Sequence, residues 1–143
     1  MGKVLIVEGP TDVAKLQPIL SEPVEFIKTY GTLSRQTLSN GSMLFGALDL
    51  ERLEDEEDVY IFVDADRAGE SLRRMLRHFL PGARHLYTER RYREVAETPA
   101  VVLAHILMHA YFEVNLAYVE STLTNEEEHR LYLSLVKRER RRM

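Results

Sequence analysis

The sequence contains no cysteine among its 143 residues. This absence excludes disulfide bonds, zinc sites built from thiolates and enzymes that use a cysteine nucleophile. It is compatible with a reducing cytoplasm, which is the compartment that we expect for this protein.

Long apolar runs are also missing. Lys3 is followed by only four apolar residues before Glu8, which is too short for the apolar region of a secretory signal. No segment approaches the roughly 20 apolar residues that a helix needs to span a bilayer. We therefore expect no association with a membrane.

The chain has no excess of positive charge, since its net charge is −4. This net charge argues against a generally basic surface for nucleic acid, although it does not exclude a local basic face. What the chain does have is 45% hydrophobic and 29% charged residues, which is ordinary for a globular protein. Its length predicts a single domain with a real core.

Apolar runs rich in β-branched residues alternate with segments of helical periodicity. The runs predict four strands, at Lys3–Val7, Val24–Lys28, 58–63 and 84–88. The periodic segments predict a helix that begins at Pro10 and continues to Leu20, and further helices at 33–50, 66–80, 100–117 and Glu126–Arg142. Asn40-Gly41 interrupts the second of these helices. Thr124 and Glu127 can cap the start of the last one. This alternation favours an α/β fold with a mainly parallel sheet, and we expect the last two helices to cover one face or edge of it.

Acidic residues follow the first and third of these strands. Glu8 and Asp12 come after the first strand, and Asp64 and Asp66 come after the third. In an open α/β sheet such strand ends border the crevice where ligands bind. Three carboxylates gathered there would repel one another unless a cation joins them, and Mg²⁺ prefers oxygen ligands of this kind. A phosphate group is the natural substrate of such a site.

The spacing within the second motif suits a metal ligand pair. Asp64 and Asp66 are two residues apart, so both can project to one side at the end of a strand. Glu8 can complete the metal shell or exchange a proton with an attacking or leaving oxygen. The alternative is that acids here only solvate loop ends and complement helix dipoles, and it explains Asp12 and Glu70 about equally well.

Together the strand–Glu-Gly-x-x-Asp pattern at Glu8 and the strand–Asp-x-Asp-x-x-Gly pattern at Asp64 resemble the Toprim domain. That domain is shared by topoisomerases of types IA and II, bacterial primases, nucleases of the OLD family, recombination-repair proteins and the 5S ribosomal RNA maturation nuclease. The resemblance implies a compact Rossmann-like α/β domain in residues 1–95. Residues 96–143 would form a C-terminal helical extension packed on it, within a single globular unit.

The resemblance also implies roles for individual residues. The family's glutamate matches Glu8 and acts as a general acid or base. The family's Asp-x-Asp pair matches Asp64 and Asp66 and binds Mg²⁺, for which Mn²⁺ can substitute. The remaining motif positions are Gly9, Asp12 and Gly69.

One departure from the family pattern occurs at Ala68, where topoisomerases usually carry a third acid and primases commonly do not. Chemistry with two metal ions would then need a ligand from Glu70 or Asp12. The chain is too short for the tyrosine-bearing domain and DNA gate of a topoisomerase, or for the zinc and polymerase modules of a primase. Its plan is similar to the 5S ribosomal RNA maturation nuclease and to small primase-like Toprim proteins.

Arginines are concentrated after the second motif. Arg67 lies beside the expected metal site and can hold a phosphate. Further arginines follow the fourth strand, near Tyr87 and Tyr92, and can contact a nucleic-acid backbone and an unpaired base; they are Arg90, Arg91 and Arg93. A solvated face is the alternative, and it explains Arg73, Arg74 and Arg77 on an expected surface helix equally well.

Two weaker patterns occur in the C-terminal part. His105 and His109 are four residues apart on an expected helix, as in some zinc sites, but no third ligand is evident and we predict packing instead. The basic run at 137–142 is expected to complement the dipole at the end of the last helix.

These patterns favour a magnesium-dependent, nuclease-like or phosphotransfer protein that acts on RNA or DNA. Two alternatives stay open. One is a non-catalytic module that binds nucleic acid or a partner protein through the same surface, and the other is an enzyme for nucleotides or small phosphate esters. The patterns favour no particular oligomeric state.

Overall fold

The computed structural model describes residues 2–29, 35–37, 43–45 and 48–142, with side chains for 2–29 and 52–142. The described strands are β1 Lys3–Val7, β2 Val24–Lys28, β3 Arg35–Thr37, β4 Met43–Phe45, β5 Leu48–Asp49, β6 Val59–Phe62 and β7 Arg84–Leu86. The described α-helices are α1 Pro10–Leu16, α2 Leu50–Glu54, α3 Arg67–Phe79, α4 Ala100–His109, α5 Leu116–Ser121 and α6 Glu126–Arg142, and a 3₁₀ turn at Gln17–Ile19 extends α1.

Four strands form one parallel sheet in the order β2-β1-β6-β7. In its register Leu5 of β1 lies between Phe26 of β2 and Tyr60 of β6. The predicted α/β fold with four parallel strands is therefore confirmed, and the strand bounds at Lys3–Val7 and Val24–Lys28 are those that the sequence predicts. The ends of the other two strands differ from the prediction by one or two residues.

The sheet separates two hydrophobic clusters because neighbouring side chains on a strand point to opposite faces. Leu5 and Val7 of β1 join the first cluster, together with most of α4. Val4 and Ile6 join the second, which α3 covers with Leu72, Leu76 and neighbouring residues. Both faces of the central strands are thus buried, which explains why their sequences are continuously apolar.

The helix predicted at 33–50 is wrong. The described backbone in that span forms a three-stranded antiparallel sheet in the order β3-β4-β5, and a helix begins only at Leu50. Asn40-Gly41 falls in the connection between β3 and β4, and Asn-Gly favours hairpin connections over helix interiors. The remaining positions of the predicted helix, at 33–34, 38–42 and 46–47, lie outside the described residues.

The helix predicted at 100–117 is divided. α4 ends at His109, and Tyr111 adopts a left-handed φ of 67°, which stops the helix. Asn115 then caps α5 by accepting a hydrogen bond from the Tyr118 N–H.

α6 has the predicted bounds but a different cap. Asn125 accepts from the Glu128 N–H, and Glu128 accepts from the Thr124 N–H, so each side chain of the predicted pair is displaced by one residue. Among the helices of the described residues, none has the length and apolar character needed to cross a membrane.

Candidate metal and phosphate site

The two acidic motifs meet because β1 and β6 are neighbouring parallel strands. Glu8 follows β1 directly, and Asp64 lies two residues beyond the end of β6. The Asp64 N–H donates to Glu8 Oε2 over 2.7 Å, which joins residues 56 positions apart in sequence. Glu8 is thereby oriented toward the start of the second motif.

The segment that follows β7 packs against the second motif. Asp64 Oδ1 accepts from the Val95 N–H at 2.8 Å. At the base of this segment the hydroxyls of Thr88 and Thr98, both buried, are 2.8 Å apart. These contacts hold the segment over the end of β6. No local sequence pattern predicts them.

Asp66 begins α3 and caps it. Its Oδ1 accepts from the Gly69 N–H at 2.7 Å. A Cβ on residue 69 would overlap the carbonyl oxygen of Asp64, so the chain needs glycine at this position for close approach. The motif spacing Asp-x-x-Gly is thus explained by a helix cap packed directly on the preceding strand end.

Asp12 closes the other motif. Its Oδ2 accepts from the Gly9 N–H at 3.1 Å, and only 5% of its surface is exposed. Gly9 itself is extended, with φ −162°, and a Cβ there would meet no atom within 4 Å. Within the described residues, then, no contact requires glycine at position 9, in contrast to Gly69.

The electrostatics of the cluster follow from burial and like charge. The pKa of Glu8 is raised to about 7, chiefly by burial and further by the charges of Asp64 and Asp66, while the Asp64 N–H opposes the shift. The pKa of Asp12 is raised to about 6, again by burial first and by Asp64 second. The acids are therefore poorly compensated near neutral pH, and a cation at this place would lower both pKa values.

A cleft of about 380 Å³ opens at this cluster, lined by Glu8, Gly9, Pro10, Thr11, Asp12, Asp64, Glu94 and Ala96. Glu94 adds a carboxylate that the motifs do not indicate. Within the part of the chain that the structure describes, no three His, Asp or Glu side chains are grouped so as to hold a metal ion. The structure joins Glu8 with Asp64, and the three-acid site that adds Asp66 stays a prediction.

The predicted basic residues are placed differently from one another. Arg67 and Arg90 are exposed, with Arg67 at the first turn of α3 beside Asp66. Arg91 is engaged by two acids, since its guanidinium lies 2.9 Å from Glu89 and 3.2 Å from Glu127.

Arg93 has a left-handed φ of 61°, and its carbonyl accepts from the Ala65 N–H, so its backbone supports the second motif. Contact of Arg67, Arg90, Arg91 or Arg93 with nucleic acid stays a prediction.

Arg73 does not lie on the surface, contrary to the sequence interpretation. It is 1% exposed, and its Nη2 donates to the carbonyls of Val63 at 3.2 Å and Leu86 at 3.0 Å. It therefore links the carboxyl ends of β6 and β7. The signal was present in the spacing, because residue 73 completes the buried i, i+3, i+4, i+7 pattern of Gly69, Leu72 and Leu76.

The Val63–Asp64 peptide is consequently held on both sides. Arg73 donates to its carbonyl and Glu8 accepts from its N–H. Burial lowers the pKa of Arg73, and the same burial, with the nearby positive charge of Arg73, lowers the pKa of His85 to about 4. Arg74 and Arg77 are exposed on α3, as predicted.

Comparisons with known proteins agree with this arrangement. Residues 3–98 match the Toprim domain family, and this span contains both acidic motifs. Uncharacterized protein YusF of Bacillus subtilis (strain 168) is 40% identical over 123 residues, which cover 84% of this chain and 76% of YusF. The solved structure of a small TOPRIM domain protein from Bacillus stearothermophilus is 39% identical, with a TM-score of 0.68, and the match covers 88% of this chain and 97% of that one. With the acids of two adjacent strand ends in contact, and relatives matched over most of its length, this chain belongs to the Toprim family.

Proposed function

We propose that this protein is a magnesium-dependent, nuclease-like phosphotransfer protein that acts on RNA or DNA. The contact between Glu8 and Asp64 in an acid-lined cleft is the observation that carries the proposal. Toprim domains are in general metal-binding domains of nuclease and primase type, so the proposal specifies for this chain what its family does broadly.

The residues present fit a hard divalent cation in kind. All the charged groups that line the cleft are carboxylates, and the pKa values of Glu8 and Asp12 are raised first by burial and further by the negative charge of Asp64. Asp64, Asp66 and Glu8 would hold Mg²⁺ or Mn²⁺. Such an ion, when bound, polarises a phosphoryl oxygen and neutralises charge that develops in the transition state.

The chain's own residues supply the remaining functions. With a pKa of about 7, Glu8 can accept or release a proton near neutral pH, and the Asp64 N–H fixes the direction of its carboxyl group. Arg67 is exposed at the first turn of α3, where it can hold a phosphate oxygen beside the acids. The extended segment at Gly9 leaves the cleft wall open for the substrate to approach closely.

Incubation of the purified protein with structured RNA, single-stranded DNA and duplex DNA tests the proposal. Each substrate is supplied with Mg²⁺, with Mn²⁺ and with EDTA, and products are separated on denaturing gels. We expect cleavage that needs the metal and that falls by at least about 100-fold in Asp64→Asn, since a missing ligand removes stabilisation of the transition state. Asp58→Asn, at the opposite end of the same strand, is the matched control and keeps wild-type activity.

Absence of cleavage by the wild type on every substrate, or equal cleavage by Asp64→Asn, would contradict the proposal.

A second candidate function, a non-catalytic module that binds nucleic acid, is favoured by one observation. Asp66 Oδ1 is committed to capping α3, and no three-acid group is arranged around it among the described residues. This candidate predicts that binding survives EDTA and depends on salt through the arginines. A sharp metal requirement for binding counts against it.

A further inference from the structure

A second groove lies between β7, α4 and α6. One part, of about 450 Å³, is lined by His85, Leu86, Tyr87, His105, Ile106, His109 and Ala110. An adjoining part, of about 330 Å³, is lined by His105, His109, Ser134, Lys137, Arg138 and Arg141. The two parts share His105 and His109, and we call the whole the histidine groove. None of these lining residues is acidic.

Aromatic rings line the first part of the histidine groove in two stacked pairs. The rings of His85 and Tyr87 are 6.4 Å apart at 30°, and those of His105 and His109 are 6.3 Å apart at 28°. The Tyr87 side chain is 52% exposed, so a ligand in the groove can reach its ring. Exposed rings of this kind are platforms on which unpaired bases stack.

The hydrogen bonds of the two α4 histidines fix their tautomers. His105 Nε2 lies 3.0 Å from the Leu131 carbonyl, which can only accept, so His105 Nε2 carries the proton. Arg138 can only donate to His109 Nε2, at 3.0 Å, and His109 Nδ1 therefore donates to the His105 carbonyl at 2.9 Å. Both nitrogens of His109 are engaged within the chain. His109 contacts Arg138 directly, and His105 is half-buried against the Leu131 carbonyl. His109 is exposed, so the prediction that both histidines are packing residues is wrong for His109.

The cationic end of the histidine groove is formed by one face of α6. Ser134, Lys137, Arg138 and Arg141 follow the i, i+3, i+4, i+7 spacing of that face. Three of the four are cations that can meet phosphates spaced along a strand. The described cleft at the start of β1 and β2, of about 520 Å³, has the opposite balance of charge, since Glu22, Glu25 and Glu56 line it with Lys3 as its one cation.

The histidine groove begins close to the acidic cleft. Tyr87 follows the last residue of β7, and its ring lies 4.0 Å from the guanidinium of Arg73. Arg73 in turn holds the carbonyl of Val63, the residue before Asp64. Adjacent strands are about 4.8 Å apart, so Tyr87 is roughly one strand away from the proposed reacting centre.

We propose that the histidine groove binds a single-stranded stretch of nucleic acid, with a base on Tyr87 and phosphates on Lys137, Arg138 and Arg141. The proposal rests on the proposed function for its substrate class and adds where the strand runs. RNA and DNA share the backbone and stacking chemistry involved.

Fluorescence anisotropy of a labelled oligonucleotide of about 12 nucleotides, which is within the usual site size, tests the proposal. RNA and DNA versions and a duplex of the same length are titrated in EDTA, so that the acidic cleft does not contribute through a metal. We expect the single strand to bind more tightly than the duplex. Tyr87→Leu should weaken binding about fivefold to 100-fold, the range measured for loss of a stacking platform, and Tyr87→Phe should restore it.

Arg141→Gln should weaken binding several-fold and reduce the slope of log K against log salt by about 0.7, the value for one phosphate contact with a single strand. Arg140→Gln is the matched control, because it makes the same charge change one position away and does not line the groove. Tyr111→Leu is the control for the ring, since Tyr111 is 70% exposed elsewhere.

Equal effects of Arg141→Gln and Arg140→Gln, or equal binding by Tyr87→Leu and wild type, would overturn the groove while leaving cleavage by the acidic cleft intact. Conversely, groove-dependent binding without any cleavage would retain the groove and reject the proposed nuclease function. The circular dichroism spectrum and melting curve of each variant ensure that a folded protein is compared.

Discussion

A cluster of acids and a single arginine lie at neighbouring strand ends, and they differ in burial and in contacts. The acids between β1 and β6 face an open cleft and have raised pKa values. Arg73, between β6 and β7, is closed to solvent and surrounded by carbonyls. The carboxylates of Glu8, Asp12 and Asp64 line a cleft that a ligand can reach, whereas the guanidinium of Arg73 is buried. Acids with raised pKa values that line a cleft are the arrangement expected of a ligand site, and a buried group that donates to strand-end carbonyls is expected of a support.

The largest expected effect comes from a substitution that pushes α3 away from the backbone of Asp64. Gly69→Ala introduces a Cβ against the Asp64 carbonyl, so α3 or the end of β6 must shift. We expect a loss of roughly 3 kcal/mol or more in the free energy of unfolding, because backbone cannot yield as a flexible side chain does. Urea unfolding followed by circular dichroism measures it.

Gly9→Ala is the control for Gly69→Ala, since its Cβ meets no atom and its backbone is extended. Its unfolding free energy should stay within about 1 kcal/mol of wild type. Similar losses in both variants would mean that the close approach of Gly69 to Asp64 is not what makes glycine necessary there.

Removal of the Arg73 guanidinium should have a smaller but still large effect on the free energy of unfolding. Arg73→Met removes donors from the carbonyls of Val63 and Leu86 while also removing a buried charge. The two terms partly offset each other, and we expect a net loss of about 2–3 kcal/mol in the free energy of unfolding. The cleavage rate, measured at a temperature where the variant is folded, should also fall, because the Val63–Asp64 peptide loses one of its two hydrogen bonds to side chains.

Arg74→Met, one residue along the same helix and exposed, should change unfolding by no more than about 0.5 kcal/mol. If Arg73→Met unfolds like Arg74→Met, the buried guanidinium has no supporting role and the contrast between Arg73 and the acids disappears.

The pH dependence of stability sharpens the contrast further. Because folding raises the pKa of Glu8 from 4.5 to about 7, the folded state binds its proton more tightly than the unfolded chain does. This contribution is complete below pH 4.5 and is lost as the pH rises through 7. His85, whose pKa falls from 6.5 to about 4, acts in the opposite direction and loses stability as the pH falls below 6.5.

The contribution of Glu8 is therefore measured as a difference between variants, in EDTA. Glu8→Gln should reduce the fall in unfolding free energy between pH 5 and 8 by roughly 1–2 kcal/mol, after allowance for solvent screening in an open cleft. Glu54→Gln, an exposed glutamate of α2, should retain the wild-type curve. Mg²⁺ should stabilise the wild type more at pH 8 than at pH 5, and an equal effect at both values would argue against a shared site for proton and metal.

The smallest expected effect concerns Arg67, which is exposed beside the acids. Arg67→Gln should lower kcat/KM for nucleic acid about fivefold, as expected for one solvent-screened phosphate contact, and should leave the melting temperature unchanged. Arg74→Gln, exposed two turns later on α3, is the control. A rate loss shared by both variants would indicate general attraction of substrate and not a contact at the acidic site.

Much of this arrangement could be predicted from sequence because it depends on local patterns. The apolar runs at Lys3–Val7 and Val24–Lys28 predict two strands with the bounds that the structure has. Parallel pairing then places Glu8 and Asp64 at the same edge of the sheet. The helix predicted at 33–50 is wrong because Asn40-Gly41 is typical of a hairpin connection, and the described strands of that span, two or three residues long, are too short to show a period of two.

The supporting residues were harder to predict, for two physical reasons. Arg73 has the spacing of a buried residue, but its charge predicts an exposed position. Its burial is explained only by its hydrogen bonds to two strand-end carbonyls, which the sequence does not reveal. Val95 and Glu94 reach the acids only through the tertiary path of the segment after β7, which has no periodicity of its own.

The doubly held peptide between Val63 and Asp64 has a consequence for how the acidic cleft works. Strand ends usually fray, so their amides exchange with deuterium quickly. Here the Asp64 N–H donates to Glu8, and the Val63 carbonyl of the same peptide group accepts from Arg73. We therefore expect the Asp64 amide to exchange more slowly than that of an ordinary strand end. The Asp64 carboxylate is itself held by the Val95 N–H, so both its backbone and its side chain are positioned in advance, and a ligand that binds there would need to reorganise little of either.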